Sequence, residues 1–514
     1  MARQQRFWLG ISGLVMVVSL LLAVTATRQN ANASGHRQGD FTPFPTNTSD
    51  VLPPVPSLTP TPTVETILPT STPQPISSAP LATPTVLYPL NPEPGLVSNG
   101  TLVPTRMPLL VARDREGTEY ELYNFLLLGK DSESIDQADG VYRTDTMIIV
   151  SVNLTTQTVS MLSLPRDLLV YIPDWGMQRL NLAWGRGETV GWTDGGFGLL
   201  RQTILYNFGI RIHYFAMIDF SGFKQVIDTL GGVTVAVDCS IQDYKFTGEY
   251  DENNEPIFEF YTLPVGVHHM DSITALFYAR SRHSSSDFDR GRRQQQILRA
   301  IWAQGKQGSW VTDIPALYDQ LTDVVETNIP LDVMIQLAPI ALGLEPNQIE
   351  NHFFRLGFET VSWTSPDGSN VQIPQLGIIN TIQAFLTPPT ENRLASEGSQ
   401  VAIYDNSGLG VQMDYVAADR LLWEGVLSQP MGEGAPPAEY ADHPDTILID
   451  YTGEDKGSIL DTLVEILNIP PDNIIVQPDP NRTSDFAVYL TSNYSACVDR
   501  DVRAPVDVTP TPES

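Results

Sequence analysis

The sequence predicts a mixed α/β fold: a layered domain with a central mixed β-sheet flanked by helices, a small C-terminal α+β domain, and an N-terminal transmembrane helix. Three observations predict it. Between residues 119 and 385, apolar runs of strand length alternate with longer helical patterns, which is how layers around a sheet read in sequence. A break at "LTPPTENRLASEGSQ" (386–400) is followed by a shorter set of strands and helices over residues 399–494. At the start, "FWLGISGLVMVVSLLLAVTA" (7–26) is an uncharged apolar run of bilayer-spanning length.

Arg3 and Arg6 precede that run. Positive charge stays on the cytoplasmic side, so residues 1–27 read as a single-pass anchor in the cell membrane, with the bulk of the chain extracytoplasmic. A cleaved signal peptide is the rival reading, because "AVTAT" offers small residues near a cut; the run is longer than a usual signal core, which favours the anchor. Residues 28–115 read as a disordered linker. Seventeen of the 40 prolines fall between Pro43 and Pro108, among Thr, Ser and Asn, a composition that cannot pack a core.

The folded part is expected to begin near Glu119. "YNFLLLG" (123–129) is an apolar run stopped by glycine, as a buried strand is. "TMIIVSVN" (146–153) and "TVSMLSL" (158–164) are two more strands joined by a short turn. "GFGLLRQTILYNFG" is a helix ending at Gly209, "IRIHYFAMID" a strand, "FSGFKQVIDTLGG" a helix and "VTVAVD" a strand. "DSITALFYA" is a helix capped by Asp271 or Ser272, and "RGRRQQQILRAIWAQG" is another helix. Beyond the break, "VAIYDNSGLG", a helix, "TILIDYTGEDKG", a second helix and "FAVYL" form the C-terminal domain. Its halves share the order strand, Gly-containing turn, helix, too weakly to call a repeat. Residues 495–514 read as a disordered tail.

The chain has 514 residues, with 30 Lys+Arg against 60 Asp+Glu, a formal net charge of −30. So acidic a surface repels phosphate backbones, which excludes nucleic acid as an expected partner. The two cysteines, Cys239 and Cys497, make no disulfide framework and no CxxC metal spacing; one bond between them is open to an oxidising compartment. GxxxxGK[ST], GxSxG and HExxH are all absent, and the adjacent pair His268-His269 has poor metal-ligand spacing.

Charged residues cluster in three places. Arg280, Arg282, Arg290, Arg292 and Arg293 put five arginines into fourteen residues of this acidic chain. If the first segment is extended, Arg280 and Arg282 share a side. In the following helix, Arg290, Gln294, Ile297 and Ile301 form one stripe whose apolar end must face the core, so Arg290 and Gln294 turn inward and Arg292 is expected to point outward. An inward Arg and Gln at a helix N-terminus suit an anion, because backbone N–H groups and the helix dipole point the same way. The alternative is a solvated face paired with Asp287 and Asp289. In the second cluster Asp131 follows the first strand, and Arg143 and Asp145 share a side at the start of the next. Carboxylates gathered at strand ends hold a hard divalent cation; spacing alone favours a cap and a surface ion pair. In the third, "LSLPRDL" (162–168), Arg166 projects from a strand end, where ligands of open α/β sheets bind, although any edge loop can carry an Arg-Asp pair.

These clusters, in this order, resemble the LytR-CpsA-Psr family of cell-envelope proteins. The matching stretches are "NFLLLGKDS", "YRTDTMIIVSVN", "VSMLSLPRDL", "RLNLAWGRG", "IDFSGFKQVIDTLGGVTVAVD" and "ALFYARSRHSSSDFDRGRRQQQI". The region from "VAIYDNSGLG" onward resembles, more loosely, the family's LytR-type C-terminal domain. The resemblance implies a mixed sheet with an apolar cleft for a polyprenyl chain. It implies a phosphotransferase that moves a glycan phosphate from a polyprenyl-diphosphate carrier to a cell-wall polymer. It assigns Asp131 and Asp145 to a divalent metal, Mg²⁺ or Mn²⁺, and Arg143, Arg166, Arg280, Arg282, Arg290 and Gln294 to the diphosphate, with Asp131, Asp145 and Arg143 as the catalytic set. Where the family often has a basic residue after Asp131-Ser132, this chain has Glu133, with Lys130 before the aspartate.

Three functions from different classes are open at this point: a transferase joining glycan to polymer, a hydrolase cleaving the same lipid diphosphate with water, and a non-catalytic envelope protein that binds glycan or lipid. A phosphoryl-transfer site needs positioning and charge neutralisation rather than a protein nucleophile. The first two readings therefore use the same residues.

Overall fold

In the computed structural model, residues 106–497 are described apart from 115, 131–143, 254, 282–286, 307–323, 366–367, 390–397, 442 and 454–457. The apolar run 7–26, Asp131, Arg143 and Arg282 therefore lie outside the described residues. Among the described residues no helix is long and apolar enough to cross a membrane.

The first strands are β1 (Leu122–Lys130), β2 (Thr144–Asn153) and β3 (Thr158–Ser163). A hairpin of β4 (Leu169–Ile172) and β5 (Gly176–Arg179) leads into helices α1 (Ala183–Val190) and α2 (Gly195–Phe208). Strand β6 (Tyr214–Ile218), helix α3 (Phe220–Thr229) and strand β7 (Val233–Val237) follow. A second hairpin, β8 (Ile241–Tyr250) and β9 (Pro256–Leu263), precedes β10 (Gly266–Met270), α4 (Ser272–Arg280) and the long helix α5 (Asp287–Gly305). The domain continues through β11 (Glu326–Thr327), α6 (Leu331–Gly343), β12 (Ile349–Phe353), the hairpin β13 (Thr360–Thr364) and β14 (Asn370–Pro374), and α7 (Gly377–Leu386).

Six strands form the central sheet in the order β11-β6-β1-β2-β3-β12. It is mixed: β1 runs antiparallel to β2 and parallel to β6, and β3 runs antiparallel to β2 and parallel to β12. Alternation along β1 explains its unbroken apolar run. Phe125 and Leu127 enter a core beneath α3, α4, α5 and α6, whereas Leu126 and Leu128 enter a second core beneath α1, α2 and α7. Both faces are thus covered by helices, as expected.

Local rules account for the helix ends. Asp271 caps α4, its carboxylate accepting from Thr274 N at 2.7 Å, and Asp219 caps α3 in the same way from Gly222 N. Gly209 ends α2 at φ +68°, and a Cβ there would lie 2.2 Å from the Pro108 carbonyl, so only glycine fits. The contact also shows that the chain joins the fold before the expected start: Met107 N donates to Tyr206 O at 2.9 Å, and Met107 and Ala112 are buried. The strand expected over "IRIHYFAMID" is shorter, because Ile210 and Ile212 fill the second core ahead of the paired segment.

The C-terminal sheet has the order β16-β15-β19-β17-β18, built from β15 (Val401–Asp405), β16 (Ser428–Glu433), β17 (Ile447–Asp450), β18 (Ile474–Val476) and β19 (Phe486–Leu490). Helices α8 (Met413–Leu422) and α9 (Ser458–Leu467) cover one face. The likeness of its halves is structural. Asp405 Oδ1 accepts from Ser407 N and Oγ at 2.9 and 2.6 Å, and Asp450 Oδ1 accepts from Thr452 N and Oγ1 at 2.8 and 2.6 Å. Each strand therefore leaves the sheet through the same turn before a helix and a parallel strand.

The two sheets belong to one compact unit. Helix α8 packs on β7 and β10, Val267 N donates to Val411 O at 3.1 Å, and a disulfide joins Cys239 to Cys497. With Ala496 buried as well, the fold extends past 494 into the segment expected to be tail. Because the bond closes a loop of 258 residues, Cys239→Ser with Cys497→Ser is expected to lower unfolding stability by about 2–4 kcal/mol. Urea unfolding of the oxidised protein and the double variant, without reductant, measures this; equal midpoints would contradict it.

Candidate active site

Helix α5 sits against the end of the central sheet. Ile297 and Ile301 are fully buried in the first core, and the same stripe carries Arg290, only 6% exposed, and Gln294 inward. Gln294 Nε2 donates to Thr146 Oγ1 at 2.9 Å and to Ala279 O at 3.3 Å, fixing the first turns of α5 to β2 and to α4. The next residue, Gln295, donates to Ser163 Oγ on β3 at 2.9 Å. Arg290 thereby faces the point where β2 starts and β3 ends.

Asp145 and Arg166 meet there. Arg166 Nη1 donates to Asp145 Oδ2 at 2.7 Å, and Arg166 Nε donates to Asp167 Oδ2 at 3.2 Å. Arg179, from β5, donates to Asp167 Oδ1 at 3.2 Å and holds that carboxylate from its other side. Charge-assisted bonds of this kind fix both position and orientation of the guanidinium plane.

Two cavities open on either side of this cluster and share four lining residues: Asp145, Thr146, Arg290 and Gln294. The larger, about 520 Å³, runs under apolar side chains including Leu127, Ile148, Phe223, Leu276, Phe277 and Ile297, with Arg280 and Lys130 on its walls. The smaller, about 290 Å³, adds Arg166, Asp167 and Ser163 and is roofed by Phe353 and by Asn370 and Gln372 of β14. The apolar channel meets, at Arg290 and Asp145, a smaller chamber in which Arg166, Asp167, Asn370 and Gln372 stand among apolar side chains such as Phe353, Phe354 and Leu356. Chemically, that arrangement accommodates a long apolar chain ending in an anionic head, with room for a polar group beyond it.

Of the residues expected at a site, the structure brings together Asp145, Arg166, Arg290 and Gln294, with Arg280 at the wall of the apolar cavity. Asp131, Arg143 and Arg282 lie outside the described residues. Arg280 is not on an extended segment: it ends α4, and its guanidinium lies 3.9 Å from the centre of the Phe220 ring. Lys130 pairs with Glu326 at 3.1 Å.

The outward placing of Arg292 is overturned. Arg292 is 4% exposed and gives two bonds to the buried Asp238, Nη1 to Oδ2 at 2.7 Å and Nη2 to Oδ1 at 2.8 Å. Burial alone would push its pKa down; the Asp238 carboxylate more than reverses this and holds it above its ordinary value. Arg293 is buried as well. It donates to Tyr278 O at 2.8 Å and to Ser281 O, and burial pulls its pKa down to about 10. The reason is that α5 has no solvent face at this turn. Strand β7, which leads into Asp238, packs on it, and Gln296 Nε2 donates at 2.9 Å to Asp419 of α8. Thr146, Ser163, Asp167 and Asp238 were not picked out by sequence; only the position of Asp167 beside Arg166 could have flagged one of them.

A mixed sheet whose strand ends gather arginines and a carboxylate where a large apolar cavity meets a smaller one defines a protein that handles an anionic group on an apolar chain. Residues 110–380 match the LytR_cpsA_psr family, and the chain belongs to that family. It is 33% identical over 243 residues to the polyisoprenyl-teichoic acid–peptidoglycan teichoic acid transferase TagU of Oceanobacillus iheyensis, covering 46% of this chain and 68% of that one. It is 32% identical over 231 residues to the transferase of the same description, TagT, of Bacillus subtilis, covering 44% and 63%. Among solved structures, B. subtilis TagV aligns with a TM-score of 0.41 at 24% identity, over 52% of this chain and 96% of that one.

Proposed function

We propose that this chain is a transferase that moves a glycan phosphate from a polyprenyl-diphosphate carrier to a cell-wall polymer. The observation that carries the reading is the polar four-residue wall, Asp145, Thr146, Arg290 and Gln294, common to a large apolar cavity and a smaller one that also holds Arg166. The TagU and TagT relatives carry the name of this activity. The carrier's chain enters the apolar cavity, its diphosphate lies between Arg290 and Arg166, and its glycan extends into or past the smaller chamber. A hydroxyl oxygen of the polymer attacks the phosphorus nearer the glycan. The new P–O bond leaves glycan and polymer joined by a phosphodiester, the bond to the distal phosphate breaks, and polyprenyl phosphate departs with the electron pair while the hydroxyl proton goes to solvent. Arg290 and Arg166 neutralise charge on the equatorial oxygens, Asp145 keeps Arg166 oriented, and Gln294 holds the helix turn in place.

Asp145 is the one carboxylate that the described residues bring to both cavities, and it supports a divalent ion in this reading. The described residues hold no cluster of three metal-ligating groups, but Mg²⁺ commonly takes only one or two carboxylates and completes its shell with phosphate oxygens and water. Asp145 with Asp131 would hold Mg²⁺ or Mn²⁺, whose bound charge would polarise the diphosphate. The run at 7–26 behind Arg3 and Arg6 supports an N-terminal anchor in the cell membrane with the enzyme outside the cytoplasm, where carrier and wall polymer meet.

The test is product analysis. The protein, a polyprenyl-diphosphate glycan and a wall polymer are expected to yield a phosphodiester-linked glycan, with activity lost in chelator and restored by Mg²⁺. Free glycan phosphate as the sole product would make the enzyme a hydrolase, and no conversion with retained lipid binding would make it a carrier protein.

A further inference from the structure

The β8–β9 hairpin belongs to neither sheet and shows an unusual face. Its register sets Tyr244 opposite Phe260, Phe246 opposite Phe258 and Tyr250 opposite Pro256, so the aromatic rings line one side. Ring centres are 5.6 Å apart for Tyr244–Phe260, 6.0 Å for Phe246–Phe258 and 5.3 Å for Phe246–Tyr250. The ladder stands in solvent: Tyr244 is 65%, Phe260 58%, Phe258 54% and Tyr250 47% exposed. The opposite side is tied down. Lys245 lies 4.0 Å from the Tyr261 ring centre, Tyr261 packs edge-on against Phe277 of α4, and Ser281 Oγ donates to Asp243 at 2.9 Å. The hairpin is therefore held with its aromatic rings largely exposed, and a contiguous exposed patch of this kind marks a binding surface.

Two observations select the occupant. Tyr244, Phe246, Pro256 and Phe258 also line the apolar cavity that ends at Arg290, so the ladder continues the cavity wall to the outside. The hairpin is also acidic, with Asp243, Glu249, Asp251, Glu252, Glu255 and Glu259 against Lys245 alone. That charge disfavours anionic glycans and anionic bilayers and is indifferent to a neutral hydrocarbon. A cavity of about 520 Å³ suits a ligand of drug size. A longer chain exceeds it, and the ladder is exposed apolar surface that adjoins its wall.

We propose that the aromatic ladder carries the distal isoprene units of the lipid carrier, so that this hairpin sets the preference for long chains. The inference rests on the transferase reading and adds chain length to it. Methyl-bearing isoprene units pack on aromatic faces while the diphosphate stays at Arg290, beyond reach of the ladder. The test uses Phe260→Ser with Tyr250→Ser, two ladder residues outside the cavity lining, in the full chain, with farnesyl diphosphate (three isoprene units) and undecaprenyl diphosphate (eleven) as probes in detergent. Affinity for the long chain is expected to fall on the order of tenfold, and affinity for the short one to stay within about twofold. Equal loss for both, or no loss for either, would overturn the proposal. Loss of sedimentation with phosphatidylglycerol vesicles without a chain-length effect would overturn it in favour of a bilayer contact. Failure of the unsubstituted protein to bind either diphosphate would instead remove the transferase reading, and the ladder's role with it.

Discussion

Arg292→Ala is expected to destabilise the fold by about 3–5 kcal/mol, the usual cost of removing one partner of a buried ion pair. The guanidinium and Asp238 share two bonds at 2.7 and 2.8 Å with hardly any solvent on either. Alanine leaves the Asp238 carboxylate buried at the end of β7 without the guanidinium that gives it two charge-assisted bonds. The double variant Arg292→Met with Asp238→Leu removes both charges and keeps volume, and is expected to regain most of the loss, because an apolar pair avoids the desolvation cost. Equilibrium urea unfolding of the two variants checks both statements. A loss below about 0.5 kcal/mol for Arg292→Ala, the range of an exposed substitution, would mean that the pair is not formed.

Arg292 also shows where sequence stops. Periodicity identified the face of α5 that carries Ile297 and Ile301, and Arg290 and Gln294 follow from it by geometry. Periodicity says nothing about whether a second face is covered too. The residues that cover it come from far along the chain: Asp238 is 54 positions from Arg292, and Asp419 is 123 positions from Gln296. The same limit separates β1 from β8. The run in β1 is apolar on both faces because both faces are buried, and it reads as a strand at once. In β8 and β9 aromatic residues alternate with charged ones, and the aromatic side is exposed, so no core signal marks them. The Asp145–Arg166 pair was legible as two separate strand ends; that they touch depends on β2 and β3 being antiparallel neighbours, which spacing alone leaves open. The link between Cys239 and Cys497 likewise depends on how the two sheets meet.

The second large effect concerns the site itself. Arg290 lines both cavities from the first turn of α5, and loss of a charge-assisted contact to a buried phosphate costs about 1.5–3 kcal/mol, roughly ten- to a hundredfold in affinity. Arg290→Ala should therefore weaken polyprenyl-diphosphate binding strongly. Gln294→Ala should weaken it less, because Gln294 is committed to Thr146 and the Ala279 carbonyl and acts by holding the helix turn. Either substitution alters the larger cavity only at the end where it meets the smaller one and leaves its apolar walls in place, so a polyprenyl alcohol without phosphate should bind all forms alike. The most direct measurement is titration calorimetry of the unsubstituted protein and Arg290→Ala with a polyprenyl diphosphate and with the matching alcohol. The site described here predicts at least a tenfold loss for the diphosphate and none for the alcohol; equal affinities for the diphosphate, or equal losses for both ligands, would contradict it.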